Sequence, residues 1–380
     1  MQPPYSAFAA SEFDARLAAA RQALAAEGIE ACLMIAPEHL YYFAGYDSWV
    51  GVNSPQALIF TTRGGDAPTL LLRDVDLPLA RETARIDDIR TYNLVTGSFA
   101  DRLRECVDEK GIARGRAGLE LQSYALPAAS GFALKDAFPE LELVDTTRLL
   151  GDLRLIKSPA EMHYMGQAAS YAEAGLIAMR KNLAEGIGEI ELAAAIENGM
   201  RAAGSDYWAI PTELSSGPRT AGGHATPRER RLEPGDLVHA EFAGVCRRYH
   251  ATAIRTLALG DPPPEARELY AIGLESLEAG IAAATPGANV AAIEEASLQP
   301  LRAHGLEDAA MMRFGYGVGI AYPPIWLETL QIARGFEYRL QPGMTCVLHS
   351  CLELPDEGLG VIQGGTWAMT EAGLQALAGA

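Results

Sequence analysis

The sequence predicts two domains, an α/β domain over residues 1–155 and an α+β domain over residues 156–380. Three observations predict this. Short apolar runs alternate with helical stretches through the first part of the chain, as in an α/β layer. A strong helix start, Ser158-Pro-Ala-Glu, follows the last of them. Beyond it lies a long hairpin pattern, Gly235–Thr256, set among helices. A length of 380 residues accommodates two domains of ordinary size.

In chain order, Ser11-Glu-Phe-Asp is read as a helix start with Ser11 as N-cap, and Gly28 as the stop. Ala31–Ala36 reads as a buried strand and Ala57–Thr62 as another. The aromatic stretch between them, containing Tyr46, Trp49 and Asn53, is left without a regular element. Leu70–Leu72, Arg90–Tyr92, Ala117–Leu121 and Leu141–Val144 read as further strands. Leu77–Ala84, Phe99–Lys110 and Pro127–Ala137 read as helices between them. The second domain opens with a helix from Ser158 to about Leu183, then one over Glu189–Ala203. Thr212–Ser216 is a short strand, and Gly217–Arg231 a loop carrying His224. Helices over Pro264–Ala284 and Asn289–His304 follow. Phe314–Trp326 is punctuated by glycine, and Val347–Leu354 and Gly360–Ala368 read as strands.

Composition narrows the function classes. The chain is 49% hydrophobic and 21% charged, as in soluble globular proteins. A net charge of −18 argues against a nucleic-acid partner and against a polybasic membrane anchor. No apolar run is long enough to span a bilayer, and MQPPYSAFAASEF lacks the pattern of a secretory signal. Five scattered cysteines without a C-x-x-C pair fit reduced thiols and a cytoplasmic location. Cys346 and Cys351 are expected in the core.

The hairpin holds the unusual chemistry. Its arms, Asp236–Val245 and Tyr249–Leu257, are mostly apolar or small. Strand alternation puts His239 and Glu241 on one face of the first arm, and His250, Thr252 and Ile254 on one face of the second. A carboxylate and histidines in apolar strands are costly unless paired or used. His239 is expected to be structural, and His39, His163 and His304 to lie at the surface.

This hairpin, with Tyr249, Arg255 and Thr256 in matching places, resembles that of the pita-bread hydrolases: methionine aminopeptidase, prolidase, aminopeptidase P and creatinase. Leu153-Arg-Leu-Ile-Lys-Ser resembles the start of their catalytic domain. The resemblance implies an α/β N-terminal domain, a pita-bread (creatinase-like) C-terminal domain, and a homodimer. In that family two metals are held by five side chains. Those positions correspond here to Glu241, Thr252, Tyr316, His349 and Gln363. With one carboxylate left, the site is expected to hold no metal and no cofactor, a single zinc on Glu241, His349 and His224 being the minor alternative. Within the family, Gly45-Tyr-Asp-Ser-Trp49 and Gly315–Trp326, with its Pro323-Pro324 pair, resemble the metal-free branch of ectoine hydrolase and creatinase.

The chemistry expected is hydrolysis of a C–N bond in a small polar, cyclic amidine or amide. Glu241 is the nucleophile or the partner of a cationic substrate, and His224, matching creatinase's loop histidine, the acid/base. Tyr316, His250 or His349 would donate to a developing oxyanion. Tyr46, Trp49, Asn53, Thr252, Arg255, Tyr322, Trp326 and Gln363 complete the expected substrate contacts. A metal-free lyase or cyclase on the same pocket, and a non-catalytic binding protein, are the alternatives.

Overall fold

The computed structural model of the chain describes residues 4–112 and 114–379. It divides into two compact units, Met1–Arg154 and Leu155–Ala380.

In the first unit the elements are α1 (Ala10–Ala26), β1 (Ala31–Met34), α2 (Pro37–Ala44), β2 (Ala57–Thr61), β3 (Thr69–Arg73), α3 (Leu77–Thr83), β4 (Asp88–Tyr92), α4 (Phe99–Glu109), β5 (Gly115–Leu119), α5 (Ala128–Ala137), β6 (Leu141–Asp145) and α6 (Thr147–Asp152). The strands form one mixed sheet in the order β4-β3-β2-β1-β5-β6. β1 pairs antiparallel with β2 and parallel with β5. Leu33, Ile59, Leu71, Leu103, Leu119 and Leu134 bring strands and helices into one core.

Three expectations fail here. Helix α1 starts at Ala10 with Ala9 as a cap that offers no side-chain oxygen, so Ser11 lies inside the first turn. The aromatic stretch after β1 opens with helix α2, which has Pro37 in its first turn. His39, expected at the surface, is 2% exposed and its Nδ1 meets the buried Glu120 carboxylate. Glu120 also accepts from the main-chain N–H of Ala36 at 2.8 Å. The carboxylate is compensated by His39 Nδ1 and by main-chain N–H groups, which is how a charge survives in a core, whereas His39 Nε2 is buried with no partner found among the described residues.

The second unit comprises α7 (Pro159–Asn182), α8 (Glu189–Ala203), β7 (Glu213–Ser216), β8 (Leu237–Cys246), β9 (Tyr249–Ala258), α9 (Pro264–Ala283), α10 (Val290–Ala303), β10 (Gly315–Tyr322), β11 (Ile325–Ile332), β12 (Thr345–Leu354), β13 (Leu359–Thr370) and β14 (Gly373–Ala378). Its sheet is antiparallel, ordered β11-β10-β12-β13-β9-β8-β7, with β14 beside β13. α7 begins as the sequence predicts. Ser158 N–H donates to Glu161 Oε2 at 2.9 Å, and Ser158 Oγ accepts from Glu161 N–H at 3.3 Å. The β8–β9 hairpin turns through Arg247 and Arg248, both with positive φ (49° and 68°), the twist a two-residue hairpin turn requires.

The glycines of Phe314–Trp326 do not make a loop. Gly315, Gly317 and Gly319 alternate along β10, so they share one face. A Cβ on Gly319 would collide with Glu328, and one on Gly317 would lie 2.8 Å from Leu330 Cβ. The missing side chains let β10 lie close against β11 and leave Tyr316, Val318 and Ile320 to project the other way. β10 and β11 turn at Pro323-Pro324, a cis pair. Among the described residues no helix is long and apolar enough to cross a membrane.

Candidate active site

Strand register builds the site. Glu213 on β7 stands opposite Glu241 on β8, and Glu241 opposite Ile254 on β9. Ile254 is opposite Gly364 on β13, and Gly364 opposite His349 on β12. Directly opposed residues project to the same face of a sheet. Glu213, Glu241, Ile254, Gly364 and His349 therefore form one row across five strands. The opposite face is taken by helices. Phe242 abuts Gly175 of α7, and Gln363 Nε2 donates to the Tyr270 carbonyl of α9 at 2.8 Å.

Tyr316 reaches this row from β10. Its hydroxyl donates to Glu241 Oε1 at 2.9 Å and accepts from Trp326 Nε1–H at 3.0 Å. Trp326 is 1% exposed. Its fixed indole thus orients the tyrosine, and the tyrosine orients the carboxyl. The His349 ring lies 5.9 Å from the Tyr316 ring, centroid to centroid. Burial and the neighbouring Glu241 charge hold the Tyr316 hydroxyl well above its ordinary range, so it stays a donor.

The carboxyls are strongly perturbed. Desolvation pushes Glu241 up to about 7, and the Tyr316 hydrogen bond pulls in the opposite direction. Desolvation, then the Glu241 charge, push Glu213 up to about 8. His349 is driven down to about 4, first by burial and then by the charges of Arg313 and His224, so it is neutral at pH 7. His224 is exposed on the loop before β8. That loop is seated on β12, since Gly223 is buried against the side-chain ends of Glu353 and Met312. Thr252, two residues from Ile254, shares the row's face. Its Oγ1 is buried and no partner is found for it among the described residues.

Other expected site residues are already engaged or lie off the row; the His250 ring is 6.2 Å from that of Trp326, centroid to centroid. His250 Nε2 accepts from the Ala209 N–H at 3.0 Å, which places its proton on Nδ1, 2.8 Å from the Arg248 carbonyl. With both nitrogens engaged and its pKa pushed to about 3 by burial, His250 has no donor left for an oxyanion. Gln363 points into the helical layer, so the row position belongs to Gly364, one residue on. Arg255 also lies off the row's face, where it donates to the Gly379 carbonyl at 2.6 Å. Tyr322 is buried near the Arg248 guanidinium, six residues beyond Tyr316 on a strand whose register is irregular between them. His239 is buried and hydrogen-bonds Ser215 Oγ at 2.8 Å, a structural role as expected. In the first unit Tyr46 is buried and its hydroxyl accepts from Gln56 at 3.1 Å, so that group is already used, whereas Trp49 and Asn53 are exposed.

Glu213 was not anticipated from sequence. Its four-residue strand has no alternation to mark a face, and its partner lies far along the chain. The available signal was a carboxylate inside a short strand, flanked by Thr212 and Leu214. Among the described residues no group of three or more His, Cys, Asp or Glu side chains is placed to hold a metal ion, so the zinc alternative finds no support in the geometry.

The comparisons agree with this architecture. The creatinase/prolidase N-terminal domain matches residues 16–156 and metallopeptidase family M24 matches residues 163–371. Ectoine hydrolase of Halomonas elongata is 29% identical over 98% of this chain and 96% of its own. Xaa-Pro dipeptidase of Pyrococcus furiosus is 26% identical over 92% and 93%. The structure of Xaa-Pro dipeptidase from Bacillus anthracis superposes with a TM-score of 0.85, at 22% identity, over 97% of this chain and 98% of that one. The chain therefore belongs to metallopeptidase family M24, with a creatinase/prolidase N-terminal domain ahead of the pita-bread domain that carries the candidate site.

Proposed function

We propose that the protein hydrolyses a C–N bond of a small, polar, cyclic amidine or amide without a metal ion. The single observation that carries this reading is the Trp326–Tyr316–Glu241 chain of hydrogen bonds. It takes up a Glu241 oxygen that a cation would need, at a position where the family's resemblance calls for a metal ligand. A two-metal centre needs several hard oxygen donors around bridging carboxylates. The row offers Glu213 and Glu241 with Thr252, Tyr316, His349 and Gly364 beside them, which does not fit such a centre.

In this reading Glu241 attacks the carbon of the C–N bond and forms an acyl-enzyme. Tyr316 keeps the carboxylate aimed. His224, on the loop seated against β12, activates the water that releases the product. Neutral His349 and the Thr252 hydroxyl line the pocket. Likeness to the ectoine hydrolase supports a ring substrate, and likeness to the Xaa-Pro dipeptidase supports a peptide. We further propose a homodimer, which sedimentation analysis tests.

The experiment is a substrate panel of ectoine-like rings, creatine and Xaa-Pro dipeptides, each assayed in chelator and in added Mn²⁺ or Zn²⁺. The reading expects turnover of a ring substrate in chelator, with one labelled oxygen incorporated from labelled water. Turnover of dipeptides alone, dependent on metal, contradicts it. Turnover without oxygen incorporation selects the lyase or cyclase.

A further inference from the structure

The row holds two carboxyls, and the proposed reaction uses only one. Glu213 and Glu241 are directly opposed on neighbouring antiparallel strands, a geometry that brings Cβ atoms to roughly 4.5–5.5 Å. Two partly enclosed carboxylates at that separation do not both ionise at neutral pH. Their surroundings are unequal. Glu241 accepts a hydrogen bond from Tyr316, which favours its ionised form. Glu213 Oε2 is buried and no donor is found for it among the described residues.

We propose that Glu213 and Glu241 hold one proton between them, that it rests on Glu213, and that Glu213 delivers it to the departing nitrogen. This rests on the hydrolase reading above. The steps balance for an amide. A Glu241 oxygen forms a bond to the carbonyl carbon, the C–N bond breaks, and the Glu213 proton ends on nitrogen, leaving Glu213 ionised. Water then adds its hydroxide to the acyl carbon and returns its proton, through His224, to Glu213, and Glu241 leaves as carboxylate. The division of labour follows from position. Glu213 is enclosed beside the nucleophile, whereas His224 is exposed and exchanges protons with solvent. Between turnovers the pair carries one negative charge, which suits a neutral amide or a singly charged amidinium. Strand β7 becomes part of the active site.

Two measurements on the full chain test this. Infrared spectroscopy without substrate reads the C=O stretch of a protonated carboxylic acid at pH 7. The band is expected in wild type, and its part that persists above pH 7 is expected to be lost in Glu213→Gln, where the remaining Glu241 carboxyl titrates near 7. Absence of the band in wild type, or an alkaline part left unchanged in Glu213→Gln, overturns the assignment. This arm stands even if no panel substrate is hydrolysed, so its failure is distinct from failure of the hydrolase reading. Once a substrate is known, the pH–rate profile is compared. Glu213→Gln preserves the shape and charge of the protonated acid, so a structural role survives it. Loss of the proton donor is expected to lower kcat by roughly 10²–10⁴ and abolish the alkaline limb. Unchanged kcat with an unchanged alkaline limb overturns it.

Discussion

Replacing Tyr316 by Phe removes one oxygen from the centre of the site. Its hydroxyl donates at 2.9 Å to Glu241 Oε1. A hydrogen bond to a charged acceptor is worth about 1.5–3 kcal/mol, and one pKa unit about 1.4 kcal/mol. The bond favours the ionised form, so its loss raises the Glu241 pKa by roughly 1–2 units from its value of about 7. At pH 7 the ionised fraction then falls from about one half to roughly 1–10%, and kcat/KM drops roughly 5- to 50-fold. The assay is the pH–rate profile, whose acid limb should move up by roughly the same 1–2 units. The substitution also strips the buried Trp326 N–H of its acceptor, costing about 1–3 kcal/mol of stability. A variant that loses stability but keeps the wild-type acid limb would refute the claim that Tyr316 tunes Glu241.

Other substitutions test separate parts of the account. His224→Ala should lower kcat by roughly 10²–10⁴ while leaving the melting temperature unchanged, because the residue is exposed; full turnover returns His224 to an ordinary loop residue. Lys157→Met should be strongly destabilising. Lys157 Nζ lies 2.5 Å from Glu328 Oε2 with both side chains almost wholly buried, and removing one partner of a buried ion pair costs about 3–5 kcal/mol. Calorimetry should show a fall of roughly 6–20 °C, partly restored by adding Glu328→Leu; a fall under a few degrees contradicts the buried pairing. Gly223→Ala should depress turnover through the His224 loop more than it changes stability, since Gly223 is buried against the movable ends of the Glu353 and Met312 side chains; an unaffected kcat separates the loop's seating from catalysis.

Much of this fold is written in local chemistry. Ser158 and Glu161 announce the start of α7 because a capping box depends on only four consecutive residues. The β8–β9 hairpin is legible because two ten-residue arms flank one short bend. What depends on partners is less legible. Gly315, Gly317 and Gly319 read as breakers, yet they make room for a neighbouring strand, a reason that exists only after pairing. Along β13, LGVIQGGTWAMT, every side chain but one or two is apolar or small, so no alternation identifies which of Gln363 and Gly364 faces the row. His250 looks reactive until the Ala209 N–H, forty-one residues earlier, is found on its ring. Glu213 acquires meaning only from the register that sets it opposite Glu241.

The account turns on whether Glu241 becomes covalently attached to substrate. Intact-mass measurement after rapid acid quench addresses this directly, with wild type and Glu241→Gln mixed separately with a turned-over substrate. The account predicts a wild-type species heavier by the acyl portion of the substrate, mapped by digestion to the β8 peptide, and none in the variant. Absence of any adduct in wild type, together with measurable turnover by Glu241→Gln, would contradict it and leave Glu241 as an electrostatic clamp beside a directly attacking water.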